Sequence, residues 1–289
     1  MDPAPLIGIA EAPIPDNGRA FWLTARDGVR LRAALFAAKG AAKGSVVLSP
    51  GRTEPIEKYF EVIGELQGRG FVVLAHDWRG QGLSDRALPD RLRGHARGFS
   101  PFLADYVLML DLLQNDLPKP CVSLAHSMGG GLVLLALAMG EGRLAGLIST
   151  APMIGLYSVR VLPAAAAWIA RAAVLCGLGG VTVQGYDPFS QPFEGNVLTH
   201  DKARYDRYMA QLRACPDLAL GGPTWGWLEF ALSARARLSR PGCAQSLNLP
   251  ISFVAAGQDR LVLSAAQRRF AEAAPQGVFE EIAGSYHEI

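Results

Sequence analysis

The stretch "LAHSMGGGL", Leu124 to Leu132, decides how this chain is read. An apolar run, "CVSLA" (Cys121–Ala125), halts at His126 and Ser127. It then passes through Gly129, Gly130 and Gly131 into a second apolar run that ends near Met139. The first run predicts a buried strand, and Met128–Met139, apolar nearly all round, predicts a buried helix. Ser127 therefore sits at a strand-to-helix turn, with Ala125 two residues before it and Gly129 two after. In so sharp a turn the side chains two positions either side would collide, so they must be small. The product is a hydroxyl held at a sheet edge over the N-terminal dipole of the helix. The Met128 N–H is then available as one arm of an oxyanion hole. The alternative role for Ser127 is a plain helix N-cap. Ser84 and Ser100 serve as controls: each has a glycine two before it but none two after, and neither follows a buried strand.

The same rhythm extends in both directions. "FWLTARDGVRLRAALFAA" holds two β-rich runs around Asp27-Gly28, a strong hairpin signal. "SVVLSP" (Ser45–Pro50), "FVVLAH" (Phe71–His76) and "LAGLIST" (Leu144–Thr150) read as further strands. Helical patterns run from Ile56 to about Gly68 and through "GFSPFLADYVLMLDLLQND", where Ser100 is expected as the N-cap before Pro101. Alternation of this kind predicts an α/β fold, a mostly parallel sheet flanked by helices. The alternation lapses after Pro152 into a helical, loop-rich segment with Trp168, Trp225 and Trp227. It resumes at "PISFVAAG" (Pro250–Gly257), a helix and a last strand, "GVFEEIAG". The expected organisation is a core of residues 1–152 and 235–289 interrupted by a helical cap, residues 153–234.

Composition narrows the function. With 28 basic and 26 acidic residues among 289, no polyanion-binding surface is suggested, so nucleic acid is not an expected partner. The four cysteines (Cys121, Cys176, Cys215, Cys243) are scattered, without metal or redox spacing. The first residues lack a basic start and a sustained apolar core, so a signal peptide is not expected and a cytoplasmic location is. "VLPAAAAWIARAAVLCGLGGVTV" (Val161–Val183) is long enough to raise the question of a membrane span. Arg171 at its centre, Pro163 and three glycines speak against one.

A nucleophilic serine needs a base and a group to orient that base. In the chain order serine, acid, histidine, Asp259 follows the strand "PISFVAA" in a G-x-D turn, and His287 follows the last strand in "GSYHEI". His126 abuts the serine, His76 ends an earlier strand, and His95 and His200 lie in loops, so each fits the base role worse. The loop after "SVVLSP" is expected to supply the second oxyanion donor, the Arg52 N–H, with Gly51 letting the backbone approach a substrate. "DWRGQGLSDR" (Asp77–Arg86) reads as structural because it follows the wrong strand for chemistry.

With these residues in place, the chain resembles the α/β-hydrolases of the lysophospholipase (L2-type) and monoacylglycerol lipase family. "PGRTEPIEKY", "HDWRGQGLSDR", "GHARGFSPFLADY", "LAHSMGGGL", "TAPMIG", "GQDRLV" and "GSYHEI" carry the resemblance. Monoacylglycerol lipases usually have a histidine-glycine pair where this chain has Pro50-Gly51, which is closer to the lysophospholipase type. The resemblance implies hydrolysis of the carboxylic ester of a single-acyl lipid through an acyl-enzyme, without a cofactor. It also implies a cap whose Val161–Val183 helix lines an acyl channel or rests on the inner face of a membrane, the alternative being a helix that simply packs on the core. Beside the oxyanion loop, the Arg52 side chain could meet a phosphate. Alternatives are a monoacylglycerol lipase or broad carboxylesterase and, from another class, an inactive scaffold. Family members usually continue into a helix behind the histidine. This sequence stops two residues after His287, so either it is truncated or the closing helix is absent, and without that helix the histidine loop is expected to be poorly held.

Overall fold

A computed structural model describes residues 1–159 and 162–289. Its framework is one eight-stranded sheet. Strands β1 (Gly18–Thr24) and β2 (Arg30–Phe36) form the hairpin expected around Asp27-Gly28, with Gly28 in the left-handed region at φ +83°. They are followed by β3 (Gly44–Ser49), β4 (Phe71–His76), β5 (Cys121–His126), β6 (Gly146–Thr150), β7 (Ile251–Ala256) and β8 (Gly277–Ile282). The spatial order is β1-β2-β4-β3-β5-β6-β7-β8. β2 runs antiparallel to both of its neighbours and every other pairing is parallel. The chain goes from β3 outward to β4 and then returns to the other side of β3 with β5. That reversal makes the carboxyl ends of β3 and β5 a topological switch point, where open α/β sheets place their ligands.

Alternating side chains divide the core between the two faces of the sheet. Ala34, Phe36, Leu48, Val73 and Ala75 pack with Ile56, Phe60 and Ile63, which belong to a 3-10 turn (Ile56–Tyr59) and helix α1 (Phe60–Gly68). Their neighbours Leu35, Val47 and Leu74 face the larger cluster formed with α2 (Ser100–Leu113) and α3 (Met128–Ala138). Helix α3 is buried at every residue from Met128 to Leu137, as its all-round apolar sequence requires. Ser100 departs from expectation: it is the first helical residue, Phe99 takes the cap position, and no side chain caps the end. Pro101 in the first turn needs no N–H partner, so the start tolerates an uncapped end.

Between β6 and β7 lie α4 (Pro163–Leu175), α5 (Lys202–Ala214) and α6 (Trp225–Leu238), and α7 (Ser264–Ala273) separates β7 from β8. Pro163 opens α4 rather than breaking a helix, and Gly177 at φ +80° follows its end. Val161, the first residue of the apolar stretch singled out in the sequence, lies outside the described residues. No helix among those described is long and apolar enough to cross a membrane. α4 buries only Ala170, whereas α6 is half core: Phe230, Ala231, Ala234 and Leu238 join the main cluster, and Phe230 stacks on Phe102 at 4.9 Å. The expected cap boundary at residue 234 falls inside this helix.

One buried charge network carried no sequence signal. Arg32 on β2 donates through Nε to Asp77 (2.7 Å) and through both terminal nitrogens to Glu57 (2.7 and 2.6 Å), and its side chain and that of Glu57 are fully inaccessible. Asp77 also accepts from the Ile56 N–H at 3.0 Å and the Leu83 N–H at 2.8 Å. Burial pulls the Arg32 guanidinium down, but the two carboxylates hold it above its ordinary value, and burial raises the Glu57 carboxyl. Replacing Arg32 by methionine strands two carboxylates in a dry interior. The expected loss is about 3–5 kcal/mol in urea unfolding, and a loss under about 1 kcal/mol would show the network to be dispensable.

Candidate active site

Four loops leave the carboxyl ends of β3, β5, β7 and β8 on the same rim. Ser127 takes φ +51° and ψ −115° between β5 and α3, a conformation that L-residues adopt only under strain of about 1–3 kcal/mol. The strain is held by hydrogen bonds on both sides. The Ser127 N–H donates to the Thr150 carbonyl at 2.9 Å, and the Ser127 carbonyl accepts from Gly131 (3.1 Å) and Met153 (2.9 Å). Ala125 is fully buried. A Cβ on Gly129 would lie 2.3 Å from the Ser49 carbonyl oxygen and 2.5 Å from that of Pro50, so the helix can lean on the end of β3 only with glycine there. Ser127 occupies the N-cap position, yet its side chain makes no cap hydrogen bond. The hydroxyl is turned elsewhere.

It is turned to His287. His287 Nε2 lies 2.8 Å from Ser127 Oγ, and Nδ1 lies 2.7 Å from Asp259 Oδ2. The Asp259 side chain is almost wholly buried, and its Oδ1 accepts from the Leu261 N–H (2.7 Å) and the Val262 N–H (2.9 Å). Burial would raise the Asp259 carboxyl, but His287 and these N–H groups hold it below its ordinary value. The three residues expected from the sequence are thus brought into one hydrogen-bonded row. With both ring nitrogens engaged, the imidazole has a fixed orientation toward the serine. The other histidines have partners of their own. His126 Nδ1 meets Thr150 Oγ1 at 2.9 Å, His76 Nε2 meets Ser49 Oγ at 3.3 Å, and His95 Nδ1 meets Thr224 Oγ1 at 2.9 Å. Burial drives His126 down to about 4 and His76 to about 3, so both stay neutral near pH 7.

The loop after β3 stands beside the serine because Ser49 pairs with Ala125 across β3 and β5. Its carbonyls are tied away from the site: Trp78 Nε1 donates to the Pro50 oxygen at 2.8 Å and Gln81 Nε2 to the Gly51 oxygen at 3.2 Å. The Gly51 N–H is taken by Glu54 Oε2 (2.5 Å) and the Thr53 N–H by Gln81 Oε1 (3.0 Å). Among the described residues no protein acceptor takes the Arg52 N–H or the Met128 N–H. The Arg52 side chain is directed away from the backbone loop to the segment between β6 and β7. Its guanidinium donates to the Gly221 carbonyl and stacks over Trp227 at 5.1 Å, and burial lowers it to about 10.

Sequence reasoning missed two supports of this loop. Asp77–Arg86 is structural in the main, with Asp77 in the Arg32 network, but Gln81 from the same loop braces both Gly51 and Thr53. Glu54 was visible only as part of a motif, and nothing local shows that its carboxylate folds back onto Gly51. The histidine loop also differs from expectation. It is tied down beyond His287, because the Glu288 N–H donates to the Leu198 carbonyl at 2.8 Å and the Glu288 carboxylate accepts from Lys58 Nζ at 2.5 Å. Among the described residues no cluster of histidine, cysteine, aspartate and glutamate is placed to hold a metal ion.

Comparison with known proteins agrees with this architecture. Residues 40–289 match the family described as serine aminopeptidase, S33. The chain belongs to that family, and its fold is that of the α/β-hydrolases. It is 34% identical to lysophospholipase L2 of Escherichia coli K12 over 84% of this chain and 74% of that protein. It is 28% identical to a monoacylglycerol lipase of Mycolicibacterium smegmatis over 91% of this chain and 87% of the other. Among solved structures, a thermostable carboxyl esterase from Bacillus coagulans superimposes with a TM-score of 0.76 at 18% identity, covering 94% of this chain and 92% of that one. The family resemblance drawn from the motifs is matched by these relatives.

The turn at Ser127 gives a direct test. Gly129→Ala drives a methyl into the Ser49 and Pro50 carbonyls, which are backbone and cannot swing aside. Hydrolysis of a p-nitrophenyl ester is expected to fall about 100-fold, the scale of an ångström-sized displacement. Unchanged activity would mean that the turn does not need this close approach.

Proposed function

We propose that the chain is a lysophospholipase-like serine hydrolase that cleaves the carboxylic ester of single-acyl lipids through an acyl-enzyme. The observation that carries this reading is the unbroken row from Ser127 Oγ through His287 to Asp259, with the serine hydroxyl on the imidazole instead of capping its helix. In the proposed reaction Ser127 Oγ attacks the ester carbonyl while His287 Nε2 accepts its proton. Asp259 keeps the proton on Nδ1 and stabilises the imidazolium. The Met128 N–H, at the start of α3, and the Arg52 N–H receive the oxyanion. His287 then protonates the leaving alcohol, and a water activated by the same nitrogen releases the fatty acid. These steps assign Ser127, Asp259 and His287 to the chemistry, and Gly51, Ala125 and Gly129 to the close backbone approaches that permit it.

The choice of a lysophospholipid rests on the similarity to lysophospholipase L2, and the M. smegmatis relative supports a monoacylglycerol as the alternative. Fatty-acid release from lysophosphatidylcholine and from a matched 1-monoacylglycerol, with Ser127→Ala as blank, tests both. Preference for the phospholipid is expected. Preference for the neutral lipid moves the substrate to monoacylglycerol with the chemistry unchanged. Release undiminished in Ser127→Ala would overturn the serine mechanism. An aminoacyl p-nitroanilide in parallel reports any amide cleavage of the kind that the family's description names.

The cap supports a peripheral contact with membrane. α4 and its flanks expose Leu162, Trp168, Ile169, Leu175 and Leu178, with Trp168 and Leu175 the most open at 72% and 78%. Arg171 lies one turn from both, as on helices that lie in a lipid interface. Co-sedimentation with anionic vesicles is expected to weaken several-fold in Trp168→Ser/Leu175→Ser. Equal binding by the variant would remove α4 as the contact.

A further inference from the structure

Two loops must keep a fixed distance for the proposed reaction: the one after β3, with the Arg52 N–H, and the one after β8, with His287. The sheet joins them poorly. β5, β6 and β7 stand between β3 and β8, so four strand spacings, about 19 Å, separate the two strands. His126 lies between the two loops, with its ring 4.8 Å from that of His287 and its Nε2 3.8 Å from Glu54, but the direct hydrogen-bonded link above the sheet is a lysine. Lys58, in the 3-10 turn after the β3 loop, donates from Nζ to Glu54 Oε1 at 2.7 Å and to Glu288 Oε1 at 2.5 Å.

Each carboxylate is in turn part of its loop. Glu54 Oε2 accepts from the Gly51 N–H and from the Tyr59 hydroxyl, both at 2.5 Å, which fixes the turn just before Arg52. Glu288 is the neighbour of His287, and its backbone N–H is held by Leu198. Tyr208 closes the group from the cap side, with its ring 5.0 Å from Lys58 Nζ and its hydroxyl donating to the Thr53 carbonyl at 2.5 Å. Lys58 and Glu54 are nearly buried, at 16% and 6% side-chain exposure, and Glu288 is at 23%. Shielding of this order makes the two charge-assisted hydrogen bonds stronger than a surface ion pair.

We propose that Lys58 is a positioning residue for hydrolysis: its ammonium, shared between Glu54 and Glu288, locks the histidine loop to the oxyanion loop. The proposal rests on the serine-hydrolase reading above. It assigns a role to three charged residues that touch neither the reacting atoms nor one another through the sheet.

The full chain is assayed with p-nitrophenyl butyrate, and competent sites are titrated with a fluorophosphonate so that kcat is counted per reactive Ser127. Lys58→Met and Glu288→Gln are each expected to lower kcat about tenfold with KM changed less than about threefold. The double variant falls no further than the worse single one, because both cut the same link. A kcat per titrated site equal to wild type, with only thermal stability reduced, would overturn the proposal, and so would losses that multiply in the double variant. Should Lys58→Met give no titratable enzyme, the more exposed Glu288→Gln decides alone on the same criterion. Ser127→Ala separates the two levels. Retained hydrolysis there fails the underlying mechanism, whereas loss there with unchanged Lys58→Met fails the lock alone.

Discussion

The close approach of α3 to the end of β3 is the constraint on which the rest of the site depends. Helix and strand can touch only because position 129 lacks a side chain, and the contact puts the Met128 N–H beside the loop that carries the Arg52 N–H. The same contact forces Ser127 into a backbone conformation that it would not choose. That strain is small beside the apolar surface α3 buries: Leu132, Val133, Leu134 and Leu135 are all inaccessible, and each contributes about 1.5–3 kcal/mol relative to exposure. A fully buried helix is therefore what holds an unfavourable turn in place. The rotation of the hydroxyl from its own helix end to His287 follows from that turn.

Around this point the molecule uses two kinds of polar support. The Arg32, Glu57 and Asp77 group lies beneath the rim, where water is excluded, and connects β2 to the 3-10 turn and to the loop after β4. The Glu54, Lys58 and Glu288 group lies at the rim itself and connects loops that strand pairing leaves apart. Glu57 and Lys58 are adjacent in sequence and point into different groups, so a short 3-10 turn carries one residue of each. Burial alone would push Glu54 toward its neutral form, yet Lys58, His126 and Tyr59 together draw it down to about 2, and it stays a charged acceptor for the Gly51 N–H.

What could be read from the sequence was what is local or periodic. The hairpin around Asp27-Gly28, the strand rhythm and the elbow at Ser127 each follow from a few neighbouring residues. Asp259 and His287 were legible because each follows a strand at a set place in the order. Ser100 was misplaced by one residue because a proline in the first turn makes a side-chain cap unnecessary. The boundary expected at residue 234 fell inside α6 because helices of an insertion and of a core look alike in sequence, and it is the packing of Phe230, Ala231, Ala234 and Leu238 into the main cluster that ties this helix to the core. The charged groups were illegible for a deeper reason. Arg32 and Glu57 are 25 residues apart and Lys58 and Glu288 are 230 apart, and no spacing rule links charges that meet only after the sheet has formed.

The segment between β6 and β7 divides into a held part and an open part, and the division follows arginines. Arg52, Arg86 and Arg91 reach up from the core loops to backbone carbonyls of Gly221, Ala219 and Asp217, and Gly94 pairs with Gly222 and Thr224 through main-chain hydrogen bonds. Guanidinium groups suit this work, since each presents several donors in a fixed plane and can hold irregular backbone that no strand or helix satisfies. α4 has few such ties to the core loops among the described residues: just past its end, Arg93 takes the Gly180 carbonyl at 3.2 Å and His95 is hydrogen-bonded to the Gly179 backbone. Its alanine-rich sequence gives it little to bury, so its large apolar side chains remain in solvent while α5 and α6 are packed. Among the described residues, none of the hydrogen bonds that hold Ser127, His287 and Asp259 comes from α4.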